Sequence, residues 1–212
     1  KKYDPFVPAS LAPYPDYPLH EFLRKAAKIS PENPALISSA HLPVLGRVGK
    51  AVTYRELDTL SDALAAALVE MGLKKGDRVV IVMPNCVQFI ISFYAILKAG
   101  GVVAATNPTY PAERLQFQIN DCDAEIVLTL SLFYKMVKEI QPRTKVKKVV
   151  VTNVKEYLPP VAKLLFTLAR EKKDGHYLES LAPSDEWFQD VLQRFAGKRP
   201  KGDVTPSDLA LF

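Results

Sequence analysis

An α/β fold, with an open and mainly parallel sheet covered by helices on both faces, is what this sequence of 212 residues predicts. Three observations carry that expectation. From Asp77 onward, short apolar runs without alternation (Arg78 to Met83, Val102 to Thr106, Ile126 to Leu130, Val149 to Val151) read as strands buried on both sides. The segments between them have helical periodicity and supply the crossovers that a parallel sheet requires. The composition, 48% hydrophobic and 24% charged, is that of a folded globular chain rather than a disordered one.

The elements can be justified in order along the chain. Residues 1–18 carry Pro5, Pro8, Pro13, Pro15 and Pro18 with Tyr3, Tyr14 and Tyr17 between them, so an extended Pro/Tyr-rich arm is expected. Leu19, Phe22, Leu23 and Ala26 then repeat at helical spacing behind Pro18 and predict a short helix. Pro34 to Ile37 reads as a strand, Gly46 to Lys50 as a turn, and Ala51-Val52 as a second strand. Thr53 with Glu56 three residues later forms a capping box, in which each side chain can satisfy the other residue's free backbone N–H. The helix it opens has the apolar stripe Leu57, Leu60, Leu64, Ala67, Leu68 and Met71 and ends at Gly72. After the strand region, Pro160 to Lys172 predicts a helix with Val161, Leu164, Leu165 and Leu168 on one face. Ser184 is expected to cap another, with Phe188, Val191, Leu192 and Phe195 inward and Gly197 as its stop. The organisation expected is thus an arm at 1–18, an α/β unit at 19–197, and a polar linker with a final strand at 198–212.

Charge and cysteine content narrow the function classes. Lys and Arg number 28 against 23 acidic residues, and the excess of +5 lies wholly in residues 131–212, where 15 basic residues face 10 acidic ones. A pI near 9.1 suits polyanionic ligands or anionic lipid without selecting among them, and no basic motif points to a nucleic-acid partner. Cys86 and Cys122 fall in predicted helices without metal-ligand spacing and read as reduced, buried thiols. Lys1 to Pro5 has no apolar core of signal-peptide type, and the longest apolar run, Phe89 to Leu97, falls short of the roughly 20 residues of a membrane span. A cytoplasmic protein, membrane-peripheral at most, is expected.

In open α/β sheets ligands sit beyond the carboxyl ends of the strands. The polar residues there are Asn85, the group Asn107, Thr109 and Tyr110, Ser131, and Asn153. Asn85 and Ser131 stand where they would cap the following helices. Asn107, Thr109 and Tyr110 are the ligand-facing candidates, against a local structural reading in which Pro111 simply starts the next helix. The nine glycines form neither GxGxxG nor GxxxxGK[ST]. His20, His41 and His176 lack metal-ligand spacing, so no metal site is expected, and no side chain qualifies as catalytic or cofactor-binding. One segment suggests lipid contact: Leu158, Val161, Leu164, Leu165 and Leu168, flanked by Lys163, Arg170, Lys172 and Lys173. Each base near an anionic surface adds on the order of 1 kcal/mol. Packing of this stripe on the sheet is the reading expected ahead of lipid contact, because most amphipathic helices face a core.

Two motifs carry a family resemblance. Val52-Thr53-Tyr54-Arg55-Glu56-Leu57 opens the long helix, and Ile96-Leu97-Lys98-Ala99-Gly100-Gly101 runs into Thr106-Asn107-Pro108. With Gly76-Asp77-Arg78-Val79 and Asp208-Leu209-Ala210, these resemble the start of the adenylate-forming enzymes, and the Leu158-Pro159-Pro160 segment followed by Arg170 to Lys173 is most similar to long-chain fatty-acid CoA ligases. The resemblance implies the first α/β subdomain of the family's N-terminal domain. It also implies a parent enzyme that joins ATP and a fatty acid into an acyl-adenylate and pyrophosphate, after which CoA displaces AMP. ATP, Mg²⁺ and CoA are therefore the cofactors implied for the parent, and a homodimer is compatible with it. The Ser/Thr/Gly-rich phosphate loop of the family is absent, so an N-terminal fragment that is inactive alone is expected. An aryl or medium-chain acid ligase, or a non-catalytic membrane-peripheral interaction module, are the alternatives.

Overall fold

The computed structural model of the chain describes residues 6, 8, 10, 12–42 and 46–212, with the side chains of His41 and Leu42 left aside. The Pro/Tyr-rich arm of residues 1–18 and the reading of His41 thus lie partly outside the described residues. Helix α1 (His20–Ile29) leads into strands β1 (Pro34–Leu42) and β2 (Gly46–Thr53), followed by helix α2 (Tyr54–Glu70). Then come β3 (Arg78–Val82), α3 (Val87–Lys98), β4 (Val102–Thr106), α4 (Ala112–Asp121), β5 (Ile126–Leu130), α5 (Ser131–Ile140) and β6 (Lys148–Thr152). Helix α6 (Pro160–Ala169), strand β7 (Glu186–Trp187) and helix α7 (Phe188–Arg194) complete the order.

The five strands β3 to β7 form one sheet in the order β4-β3-β5-β6-β7, and every pair in it is parallel. Alternate side chains of these apolar strands serve two cores. Val79, Ile81, Val103 and Leu128 pack beneath α2, α3 and α7, through residues such as Leu64, Leu68, Ile91, Ile96, Phe188 and Val191. Val80, Val82, Val127, Val149 and Val151 pack beneath α4 and α5, through Leu115, Ile119, Val137 and Ile140. Helices therefore cover both faces, which is why the strands carry no polar alternation. Beside β4, Leu211 makes a parallel bridge to Val103, with Val103 N–H donating to the Ala210 carbonyl at 2.9 Å.

Several local expectations need correction. Gly46 to Lys50 is not a turn but the first part of β2, which pairs antiparallel with β1 from Leu42 opposite Gly46 to Pro34 opposite Thr53. Glycine marks a break in most strands, but this peripheral hairpin satisfies its backbone by pairing, so Gly49 is accommodated. Ser184 caps no helix: β7 intervenes, α7 starts at Phe188, and the Ser184 hydroxyl donates to Asp185. Asn85 is exposed and Cys86 occupies the cap position of α3, while Ser131 is the first helical residue of α5. Helix α6 ends at Ala169 rather than Lys172. Cys86 and Cys122 are half-buried at helix ends rather than within helices.

The two motif regions are structural devices. The capping box is present in full, with Thr53 N–H donating to Glu56 Oε2 at 2.8 Å and Glu56 N–H donating to Thr53 Oγ1 at 3.2 Å. Gly100 takes φ +79° just past the end of α3, a left-handed conformation that favours glycine. A Cβ on Gly101 would come within 3.1 Å of both Ile96 Cγ2 and Leu73 Cδ2 and 3.2 Å of the Asp77 carbonyl, so only hydrogen fits without displacement there.

Lys98 ends α3 with its side chain fully buried. Its ammonium lies 2.6 Å from Asp58 Oδ1 and 2.9 Å from Asp62 Oδ1, and it donates to the Asp58 carbonyl at 2.8 Å. Asp62, equally buried, also pairs with Arg24 of α1 at 3.2 Å and with Arg199 of the loop after α7 at 2.9 Å. One charge cluster thus joins three helices and a distant loop.

Truncating Val79, Ile81, Val103 or Val127 to alanine should each cost about 1–3 kcal/mol in urea unfolding, through lost methyl burial and the cavity left behind. A loss below a few tenths at all four would contradict their placement. Lys98→Met should cost about 3–5 kcal/mol, because it leaves two carboxylates at a buried site short of a cation. A stability equal to that of the parent protein would show that the cluster is not a structural fastening.

Candidate functional site

The order of the sheet identifies where a ligand crevice would lie. From β3 the chain runs through α3 on one face to β4, and from β5 it runs through α5 on the other face to β6. The carboxyl ends of β3 and β5, adjacent strands with exits on opposite faces, therefore flank a topological switch point. Close to it, Gln88 of α3 is buried and donates from Nε2 to the Asn153 carbonyl at 2.9 Å, fastening α3 to the end of β6.

Asn153 organises the next shell of contacts. Its Nδ2 donates to Glu171 Oε1 at 2.8 Å and to the His176 carbonyl at 3.1 Å, while Oδ1 accepts the Lys155 backbone N–H at 3.1 Å. Lys155 Nζ sits 2.6 Å from both Glu171 oxygens, so the buried carboxylate is neutralised by a bidentate contact. The Ser131 hydroxyl lies 3.5 Å from His176 Nδ1, and burial pushes the His176 imidazole below its ordinary pKa. A cleft of about 400 Å³ opens here, lined by Asn153, Lys155, Glu171, Tyr177, Trp187 and Gln189.

The sequence candidates fall in two other places. Asn107, Thr109 and Tyr110 follow β4 at the far side of the sheet. Asn107 Oδ1 accepts both the Thr109 backbone N–H at 3.0 Å and its hydroxyl at 2.8 Å, a turn closed on itself. The Tyr110 ring lies 3.8 Å from the Arg114 guanidinium. These local partners account for the residue types, although Asn107 and Thr109 remain exposed. In α6, Ala162 is buried and Phe166 packs edge-on against His176. Val161, Leu164, Leu165 and Leu168 stand outward, and Leu158 is half-buried. The expectation that the stripe packs on the sheet is thus corrected, since all four side chains are exposed. What sequence reasoning missed is the Asn153–Lys155–Glu171–His176 group, because Glu171 and His176 lie beyond α6 and no spacing rule links them to the end of β6.

The hydrogen bonds of this group hold its side chains in place. Burial raises the Cys86 and Cys122 thiols above their usual range, which disfavours the nucleophilic thiolate. Burial likewise lifts the Tyr134 and Tyr157 phenols to about 12. Tyr134 donates to Asp185 at 2.7 Å and accepts the Ala182 N–H at 2.9 Å, tying α5 to the approach to β7. Among the described residues no three His, Cys, Asp or Glu side chains converge as a metal site, and none of their helices is long and apolar enough to cross a membrane. The loops from β3, β4, β5 and β6 into the elements that follow contain no glycine, so these residues do not fit a glycine-rich phosphate cradle and no nucleotide-dependent step is assigned to them.

Comparison with known proteins fits this geometry. The long-chain-fatty-acid–CoA ligase of Bacillus subtilis is 34% identical over 161 residues, which is 76% of this chain and 27% of that protein. The Yersinia pestis protein of the same name is 31% identical over 216 residues, covering 100% of this chain and 36% of its own length. This chain therefore spans about a third of such relatives or less. The crystal structure of a long-chain-fatty-acid–CoA ligase from Archaeoglobus fulgidus superposes with a TM-score of 0.70 at 19% identity, over 99% of this chain and 36% of that one, a likeness of fold. Residues 23–212 match the family described as AMP-binding enzyme, and the chain belongs to that family.

Proposed function

We propose that this chain is the N-terminal scaffold portion of a long-chain fatty-acid CoA ligase, which makes acyl-CoA, AMP and pyrophosphate from fatty acid, ATP and CoA. The observation that supports it most is that the Bacillus subtilis and Yersinia pestis relatives share one named activity, at 31–34% identity and over 76–100% of the chain. In the parent enzyme ATP would supply the adenylyl group, Mg²⁺ would offset phosphate charge and CoA would supply the accepting thiol. This portion would contribute the rigid sheet against which those groups are held. Its motif residues already have structural partners: Thr53 and Glu56 cap α2, and Lys98 is enclosed by Asp58 and Asp62. Asn107, Thr109 and Tyr110 stand as the positions from which this portion would reach a ligand.

The purified chain, supplied with ATP, Mg²⁺, palmitate and CoA, should release no pyrophosphate and form no thioester above background. Acyl-adenylate formed by these 212 residues would overturn the scaffold reading. The enzyme encoded by the whole parent gene should make palmitoyl-CoA, and a strong preference for an aromatic acid there would replace the fatty-acid assignment with an aryl one.

A further inference from the structure

His20 opens α1 with its imidazole enclosed where that helix packs on α2 and α3. The residue is 7% exposed, and it borders a recess of about 220 Å³ between α1, the turn at Gly100-Gly101 and the returning segment from Val204 to Ala210. Its Nδ1 is buried and has no hydrogen-bond partner among the described residues. Its Nε2 faces Glu21 Oε1 at 3.5 Å, too far for a good hydrogen bond, and that oxygen is shared with Arg24 Nε, also at 3.5 Å. A neutral imidazole has one N–H to satisfy and an imidazolium has two, so this seat suits the neutral ring. The hold on α1 is also slight, since His20 and Leu23 are its two buried side chains.

Charged groups surround the ring from each neighbouring element. Glu21 and Arg24 belong to α1, Asp62 to α2 and Lys98 to α3, with Asp58 behind Lys98 and Arg199 behind Asp62. Asp208 borders the same recess and pairs with Lys75 at 2.8 Å. Every one of these carboxylates already has a cation: Asp58 has Lys98, Asp62 has Lys98, Arg24 and Arg199, and Glu21 has Arg24. A proton on His20 would therefore add a further cation beside Arg24 and Lys98, with no free acid to receive it. Burial first, then the Arg24 charge, holds the His20 imidazole below its ordinary pKa; Lys98 adds to this, while Glu21 and Asp62 oppose it.

We infer that His20 makes α1 an acid-released clasp, closed on α2 and α3 while its ring is neutral and loosened when the ring is protonated. Because the closed form favours the neutral ring, this group's contribution is complete above the ordinary imidazole value of 6.5 and is lost as pH falls through the lower value of the folded protein. The loosening is local. One of the two buried anchors of α1 fails, while the sheet and its two cores contain no histidine and keep their packing. Release of α1 opens the recess beside Gly101 and the segment that leads to Leu211. The inference is independent of the ligase assignment, since it rests on the seat of α1 and not on any reaction.

Amide hydrogen exchange read by NMR, corrected for the chemical exchange rate at each pH, tests it. Between pH 7.5 and pH 5.5 the protection of residues 24–29 in the unaltered chain should fall at least about threefold further than that of α2. The Asp123 and Asp208 carboxyls stay ionised across this window, because Lys145 and Lys75 hold them below the ordinary 3.8. His20→Phe keeps a ring and His20→Gln a polar group, and neither takes up a proton, so in both the protection of α1 relative to α2 should be the same at the two pH values. His176, whose imidazole burial also holds below its ordinary pKa, serves as the control, and His176→Gln should keep the response of the unaltered chain. The ring signals of His20 give a check that needs no variant: a titration midpoint below 6.5 is expected. A midpoint at or above that value, α1 protection that follows α2 at both pH values, or His20 variants that respond as the unaltered chain does would each overturn the proposal. Loss of the response in His176→Gln would overturn it too, by assigning the switch to the other ring.

Discussion

Three helices and a remote loop meet at one buried charge cluster. Lys98 ends α3 inside the protein, and its ammonium is neutralised by two carboxylates of α2, at 2.6 Å from Asp58 and 2.9 Å from Asp62. Asp62 then reaches Arg24 of α1 and Arg199 beyond α7. A buried ion cluster is a weak source of net stability compared with apolar packing, but it tolerates no missing partner and so fixes relative placement. Here it joins the middle of α1 and of α2 to the end of α3, and Gly101 then lets the chain turn close against Leu73 into β4. The placement of α3 ahead of β4 follows from that fastening.

Much of the fold was legible in the sequence, for an identifiable reason. The strands β3, β4, β5 and β6 are buried on both sides, so their apolar runs are continuous and their limits fall within a residue or so of those expected. The capping box at Thr53 was legible because both partners are local. Features depending on distant partners were not. Strand β7 has two residues, and only Val150 and Val151 beside it make it a strand. Ser184 has the residue type of a cap, but the nearby Asp185 and the pairing of Glu186 and Trp187 take the segment elsewhere.

The same contrast governs the functional residues. Lys98 stands in a recognisable motif, yet its partners lie on another helix, 36 and 40 positions earlier. The signal was present in Asp58 and Asp62, two acids one turn apart in the helix, but it needs the packing of α2 on α3 to acquire meaning. The Asn153 group was likewise hidden, because α6 intervenes between Asn153 and Glu171. The apolar stripe of α6 was visible, while its direction was not: periodicity reports that a face exists and leaves open what it meets.

The motif around Lys98 works by charge compensation inside the fold. A double-mutant cycle between Lys98→Met and Asp62→Leu, followed by urea unfolding, measures that coupling directly. The account predicts a double variant more stable than the sum of the single losses allows, with an interaction energy of about 1–3 kcal/mol. Losses that add to within about 0.5 kcal/mol would contradict it.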